Sequence, residues 1–258
     1  MATAPLPPIN PEISAVPPQS APLSQGARIV NTFIAPSKTF SDLKNGASWW
    51  MAYLLVAIVT TIFMWTIDRQ VTFEQVSLNE IARSPKQAAQ IDNLPPDQKA
   101  QRLKYSAVFT RGISYGVAII IPLFYLIFVG IYMGIFNLAF NAQISFKTYW
   151  AIVVYAGLPG IIHAILAIVS LFAGVDPQGF NINNPVGTNP AYYMDPAGNK
   201  ALHVLATGLD PFIWWSIILT GIGVACNSKV KRNTAIAVIG GLYVFYKLLG
   251  AGMAVAFS

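Results

Sequence analysis

Charge is scarce in this chain. Only 10% of its 258 residues are Asp, Glu, Lys or Arg, against roughly 25% in a soluble domain. Such a chain cannot cover a water-facing surface of its length, and its hydrophobic share of 55% points to a bilayer. Cysteine is nearly absent: Cys226 stands alone, which excludes an internal disulfide and a thiolate metal site. Acids number ten, too few to supply much catalytic chemistry. Missing too are HExxH, G-x-S-x-G, a Walker loop and paired intramembrane aspartates. Gly221 and Gly223 do not form a nucleotide fingerprint, because no strand precedes them. The oxygens of the 175–208 link do not follow the spacing of an EF-hand. No enzyme, cofactor or metal is expected. A basic stripe is lacking as well: the net charge of +6 is spread over loops and helix ends, which excludes nucleic acid and fits cytoplasmic anchoring.

Long hydrophobic runs are what the chain has. An all-α, polytopic membrane protein is expected, a bundle of five transmembrane helices with an additional helix in the first outer loop. The membrane domain spans residues 47–257, with helices at 47–67, 112–140, 150–173, 211–226 and 234–257. Four of them reach across a core of about 30 Å unaided. The fourth supplies only about 24 Å, so it starts below the outer surface, thins the bilayer, or borrows length from Leu202 to Leu209. Asp210 and Pro211 mark its start, as a cap followed by proline at the first helical position. Lys229, Lys231 and Arg232 close its other end.

Residues 1–27 are proline-rich, nearly uncharged and without apolar periodicity, and read as a disordered tail. A secretory signal would need a basic start and an apolar core, and both are missing. The juxtamembrane segment 28–46 is broken by Pro36. Its Ile29, Phe33, Phe40 and Leu43 are expected to press on the membrane surface while Arg28, Lys38 and Lys44 face headgroups; an ordinary linker is the alternative. Lys38 and Lys44, Lys147, and the KVKR cluster place the amino terminus inside and the carboxyl terminus outside. The long first link opposes this with seven basic residues, but it also carries five acids and long segments weigh less. Trp49, Trp50, Tyr149 and Trp150 would form the inner aromatic belt, and Trp65, Tyr105, Trp214 and Trp215 the outer one. Within the first link, Pro95, Pro96 and Asp97 start a helix running through Tyr105 into the second span. The 175–208 link, rich in Gly, Pro and Asn, reads as turns.

Few polar residues lie at membrane depth. Counting helical rise, His163, Lys247 and Asp210 share one level, roughly 20 to 24 Å from the inner end. A Lys247 to Asp210 ion pair with His163 nearby is one reading; the other lets Lys247 snorkel and Asp210 cap its helix. Asn137 and Asn141, four apart near the inner end, are set to bond a neighbour or line a cavity. Gly130 with Gly134, and Gly240 with Gly241, are expected at helix packing faces. Pro122 and Pro159 are expected to bend their helices.

The pieces APSKTFSDL ahead of the first span, YAGLPGII in the third and LDPFIWWSIILTGIGV in the fourth resemble, in that order, the Yip-domain family, the Ypt/Rab-interacting membrane proteins, and more closely its bacterial-type members. The resemblance covers about residues 28–257. It implies a five-helix integral membrane protein with a cytoplasmic amino terminus, and in eukaryotic members binding of prenylated small GTPases and a role in vesicle formation. This chain has a short proline-rich tail in place of a larger cytoplasmic region and lacks the Asp-Leu-Tyr-Gly-Pro signature of that branch.

The function expected is a scaffold or adaptor of a bacterial inner membrane, acting through lipid or protein contacts at Lys38, Lys44, Lys229, Lys231 and Arg232. The alternative is a small transporter or channel using His163, Lys247 and Asp210. A third is a lipid-handling protein that disturbs the bilayer beside its short fourth helix. The bilayer, membrane proteins, small GTPases and further copies of the chain all stay open as partners.

Overall fold

The computed structural model describes residues 21–195 and 198–256, and no strand occurs among them. Most of the expected tail therefore lies outside the described residues, as do Pro196, Ala197 and Phe257. The first described helix, α1 (Gln25–Ile34), is capped by Ser24, whose hydroxyl accepts from Ala27 N. Pro36 cannot continue it and instead opens α2 (Pro36–Asp42), which runs into a short 3-10 turn at Leu43–Asn45. The remaining helices are α3 (Trp50–Gln70), α4 (Phe73–Ala82), α5 (Pro85–Asp92), α6 (Pro96–Tyr132), α7 (Phe146–Ala156), α8 (Pro159–Phe172), α9 (Lys200–Thr207), α10 (Pro211–Asn227) and α11 (Arg232–Ala256).

Among the described residues, four helical segments are long and apolar enough to cross a membrane: α3, α6 with its π-helical extension to Ala139, α7 with α8, and α11. Taken together as one span, α9 and α10 are long and apolar enough for a fifth crossing, bent by 51° at a short break. The break is written in the sequence. Gly208 ends α9, Asp210 Oδ1 accepts from Phe212 N at 2.9 Å, and Pro211 takes the first position of α10. Thus α9 adds the length that α10 lacks. A similar interruption at Gly157 and Leu158 separates α7 from α8. A Cβ on Gly157 would lie 2.7 Å from the Tyr125 hydroxyl, so any larger residue there forces that tyrosine to move. Pro122 stays inside an unbroken α6.

The first link holds more helix than expected. Besides the segment starting at Pro96, which continues into the second span as anticipated, α4 and α5 precede it. Thr72 caps α4 by accepting from Gln75 N. The 175–195 segment is a folded cover docked on α4: Asn79 Nδ2 donates to Pro177 O and Phe180 O, and Arg83 donates to Gly179 O.

Apolar clusters fill the bundle from end to end. Near the KVKR link, Phe40 and Leu43 pack with Ala52, Ile152, Tyr155 and Leu219. Phe136, Tyr149, Val153, Val224 and Ile239 follow, and Phe63, Ile67, Phe73, Leu171 and Phe180 close the opposite end. Close approach between helices is set by α10. A Cβ on Gly221 would lie 2.9 Å from both Cα and N of Ile236, and one on Gly223 would lie 2.5 Å from Ile152 Cγ2. A Cβ on Gly240 would lie 3.4 Å from Trp214 Cζ3, whereas one on Gly130, Gly134 or Gly241 would meet nothing within 4 Å. Packing expected at Gly130 and Gly134 thus falls to Gly221 and Gly223, because α6 stands at the edge of the bundle and buries only Ser114 and Val129 over its α-helical length.

Candidate functional site

Two places concentrate polar chemistry, one at the KVKR end and one beneath the opposite end. At the first, Arg28 Nε meets Asp42 Oδ2 at 2.7 Å, and both side chains are more than nine-tenths buried. The carboxylate also accepts from Leu23 N and Asn45 Nδ2. Hydroxyls of Thr32 and Thr39 both donate to Arg28 O at 2.8 Å. This polar core staples α1 to α2, and Phe33 extends the unit by an edge-to-face contact with Trp215. The expectation for 28–46 is corrected in part: Arg28, Phe40 and Leu43 face protein instead of lipid. Alternating apolar and basic residues give the same pattern on either kind of surface.

The stapled unit rests on the link between α10 and α11. Asn227 Nδ2 donates to Phe40 O at 2.9 Å, and Arg232 Nη2 donates to Ser37 Oγ at 3.0 Å. Lys38, Lys44, Lys229, Lys231 and Arg232 are all exposed around that seam. Among the described residues none of these five has an acid within 4.0 Å, and the one acid of this end, Asp42, is taken by Arg28.

Beneath the opposite end, Asp210 is 3% exposed at the break between α9 and α10. It accepts from the Thr188 hydroxyl, from Phe212 N and, at 3.5 Å, from Asn189 Nδ2. His163 Nε2 lies 3.8 Å from Asp210 Oδ2, and its ring meets Phe212 edge-on. Lys247 does not reach the carboxylate. Its ammonium donates to Thr207 Oγ1 at 3.0 Å and stands over the Tyr243 ring. The geometry follows from the bend, since ending α9 at Thr207 brings that hydroxyl alongside α11. Thr188 and Asn189, which hold the carboxylate, come from the 175–208 link and were legible in sequence only as turn residues. Trp214, expected in the outer belt, donates from Nε1 to Gly208 O.

Asn137 and Asn141 do not share a helix face. The helix ends at Ala139 and Asn141 adopts φ +50° beyond it, a conformation asparagine tolerates better than most residues. Asn137 instead closes the turn: it donates to Ile144 O, accepts from Ile144 N and accepts from the Tyr149 hydroxyl. That bond takes Tyr149, fully buried, out of the expected inner belt. A pocket of about 620 Å³ opens under the 175–195 cover, between Phe180, Tyr192, His203 and Val204. Among the described residues no three His, Cys, Asp or Glu gather in a way that would hold a metal.

These features define an all-helical, multi-pass membrane protein. More particularly, the chain belongs to the Yip1 domain family, whose model matches residues 30–254. No curated protein matches the chain, and no solved structure does.

Proposed function

We propose that this protein is a non-catalytic scaffold or adaptor of a bacterial inner membrane, working through contacts at its KVKR end. The observation that carries the reading is the docking of α1 and α2 on the α10 to α11 link, which gathers at one end five exposed cations with no acid partner among the described residues. The amino terminus and this surface are cytoplasmic and the carboxyl terminus is outside. Three things support that orientation. Lys38, Lys44, Lys147 and the KVKR cluster all belong to one end; the opposing first link is folded into helices; and several of its cations face acids, as in Arg111 with Asp68 and Lys99 with Asp92. Folded segments weigh little in the charge rule. Membrane proteins and phospholipids are the partners such a surface fits, and the missing signature argues against small GTPases.

A second reading has its own support. A helix broken at membrane depth around a buried carboxylate, with His163 at 3.8 Å, resembles the discontinuous helices that bind ions in transporters. Proton flux into proteoliposomes carrying a pH-reporting dye separates the two. The scaffold predicts flux equal to that of empty vesicles. Flux above that level which falls on His163→Ala or Lys247→Ala would install the transporter in its place.

A further inference from the structure

We infer that the seam between α2 and the KVKR link binds an anionic phospholipid of the same bilayer, with Lys38 and Arg232 on the phosphate and Val30 and Ile34 along an acyl chain. The inference rests on the scaffold reading, since it names the partner of that cationic surface.

Arg232 opens α11, and its single hydrogen bond to Ser37 Oγ fixes the guanidinium beside α2. Its other N–H groups have no acceptor among the described residues. Lys38, the next residue after Ser37, is exposed and unpaired. A planar fork held on Ser37 and a mobile ammonium on the following residue suit a phosphate, the fork giving direction and the ammonium charge. Just before Pro36, Ile34 is 75% exposed and Val30 is 56% exposed. They lie four apart, on one face of α1, while the opposite face carries the buried Arg28 and Thr32.

Cations with no acid partner among the described residues, and exposed aliphatic side chains four to eight residues before Lys38 in the chain, match a molecule that is anionic at one end and apolar at the other. An acidic protein segment would answer the cations and leave Val30 and Ile34 uncovered. Among the described residues no acid neutralises the site, because Asp42 is buried against Arg28. Lys229 and Lys231, exposed in the same link, add to the attraction; a cation near an anionic membrane surface strengthens binding by roughly fivefold.

The full chain is reconstituted in nanodiscs of equal phosphatidylglycerol and phosphatidylcholine, released, and its retained lipids are counted by native mass spectrometry. Phosphatidylglycerol should be enriched by about tenfold over phosphatidylcholine. The exposed K38Q/R232Q pair should lower the enrichment to about twofold or less, while R102Q/K104Q, on exposed residues of α6 at the opposite end, should leave it unchanged. I34N should reduce retention of both lipids. Thermal melts of each variant report that it still folds. Equal retention of the two lipids by the unaltered protein, or an enrichment that survives K38Q/R232Q, overturns the inference. Either result leaves the flux comparison untouched, so the scaffold reading stands or falls separately.

Discussion

Arg28 and Asp42 lie fourteen positions apart, across the turn at Pro36, and their pairing sets the shape of the whole juxtamembrane unit. Desolvating two charges is costly, and the geometry repays it through additional bonds, from Leu23 N and Asn45 Nδ2 to the carboxylate and from the guanidinium to Ser48 O and Asp42 O. Removing one partner alone strands the other. Asp42→Leu, or Arg28→Met, should therefore cost about 3–5 kcal/mol, while the double variant should recover much of that loss. Unfolding of the detergent-solubilised protein measures both, and additive losses would show that the pair does not act as a unit. Asp210 differs in kind. It caps α10 and holds Thr188, so Asp210→Ala should cost about 1–3 kcal/mol, and Thr188→Val should add little once Asp210 is gone.

Helical counting from the sequence placed His163, Lys247 and Asp210 at one level, but it does not fix which group each side chain meets. The partner of Lys247 depends on where α9 stops and on the 51° turn that follows; Gly208, Asp210 and Pro211 mark the break in sequence but not the angle across it. Arg28 differs from expectation for a related reason: a lone basic residue in an amphipathic stretch looks the same whether it faces phosphate or a buried carboxylate.

Among elements, α10 does most of the close packing. Gly221→Ala pushes a methyl against the Ile236 backbone, which cannot yield as a side chain can, and should destabilise by about 1–3 kcal/mol. Gly130→Ala and Gly134→Ala meet open space and should be neutral or slightly stabilising, since alanine favours helix over glycine by about 1 kcal/mol. A loss at Gly130 as large as that at Gly221 would mean that α6 packs against something outside this chain. The apolar runs made the spans legible, and Asp210 with Pro211 marked the start of α10 correctly. Spacing of glycines did not tell which face meets a helix, because lipid and protein are alike to an apolar stripe. The helices α4 and α5 escaped notice because neither is apolar enough nor periodic enough to stand out from a charged link.

At the scale of the whole molecule the charges divide unevenly. The KVKR end carries seven Lys and Arg, counting Lys147 and the buried Arg28, against the single acid Asp42 among the described residues. At the opposite end, acids stand among the basic residues of the first link. That asymmetry gives the bundle a direction, and contacts from Ser37 to Arg232 and from Phe40 to Asn227 require the juxtamembrane unit and the KVKR link to lie on one side of the bilayer.

Single cysteines at Lys44, Lys231 and Lys200, each in a Cys226→Ser background, decide the matter when intact cells are treated with a membrane-impermeant thiol reagent. Lys44→Cys and Lys231→Cys should be protected until the cells are opened, and Lys200→Cys should react at once. Labelling of Lys44→Cys and Lys231→Cys from opposite sides would contradict the docked surface on which the account rests, and labelling of both from outside would reverse its orientation.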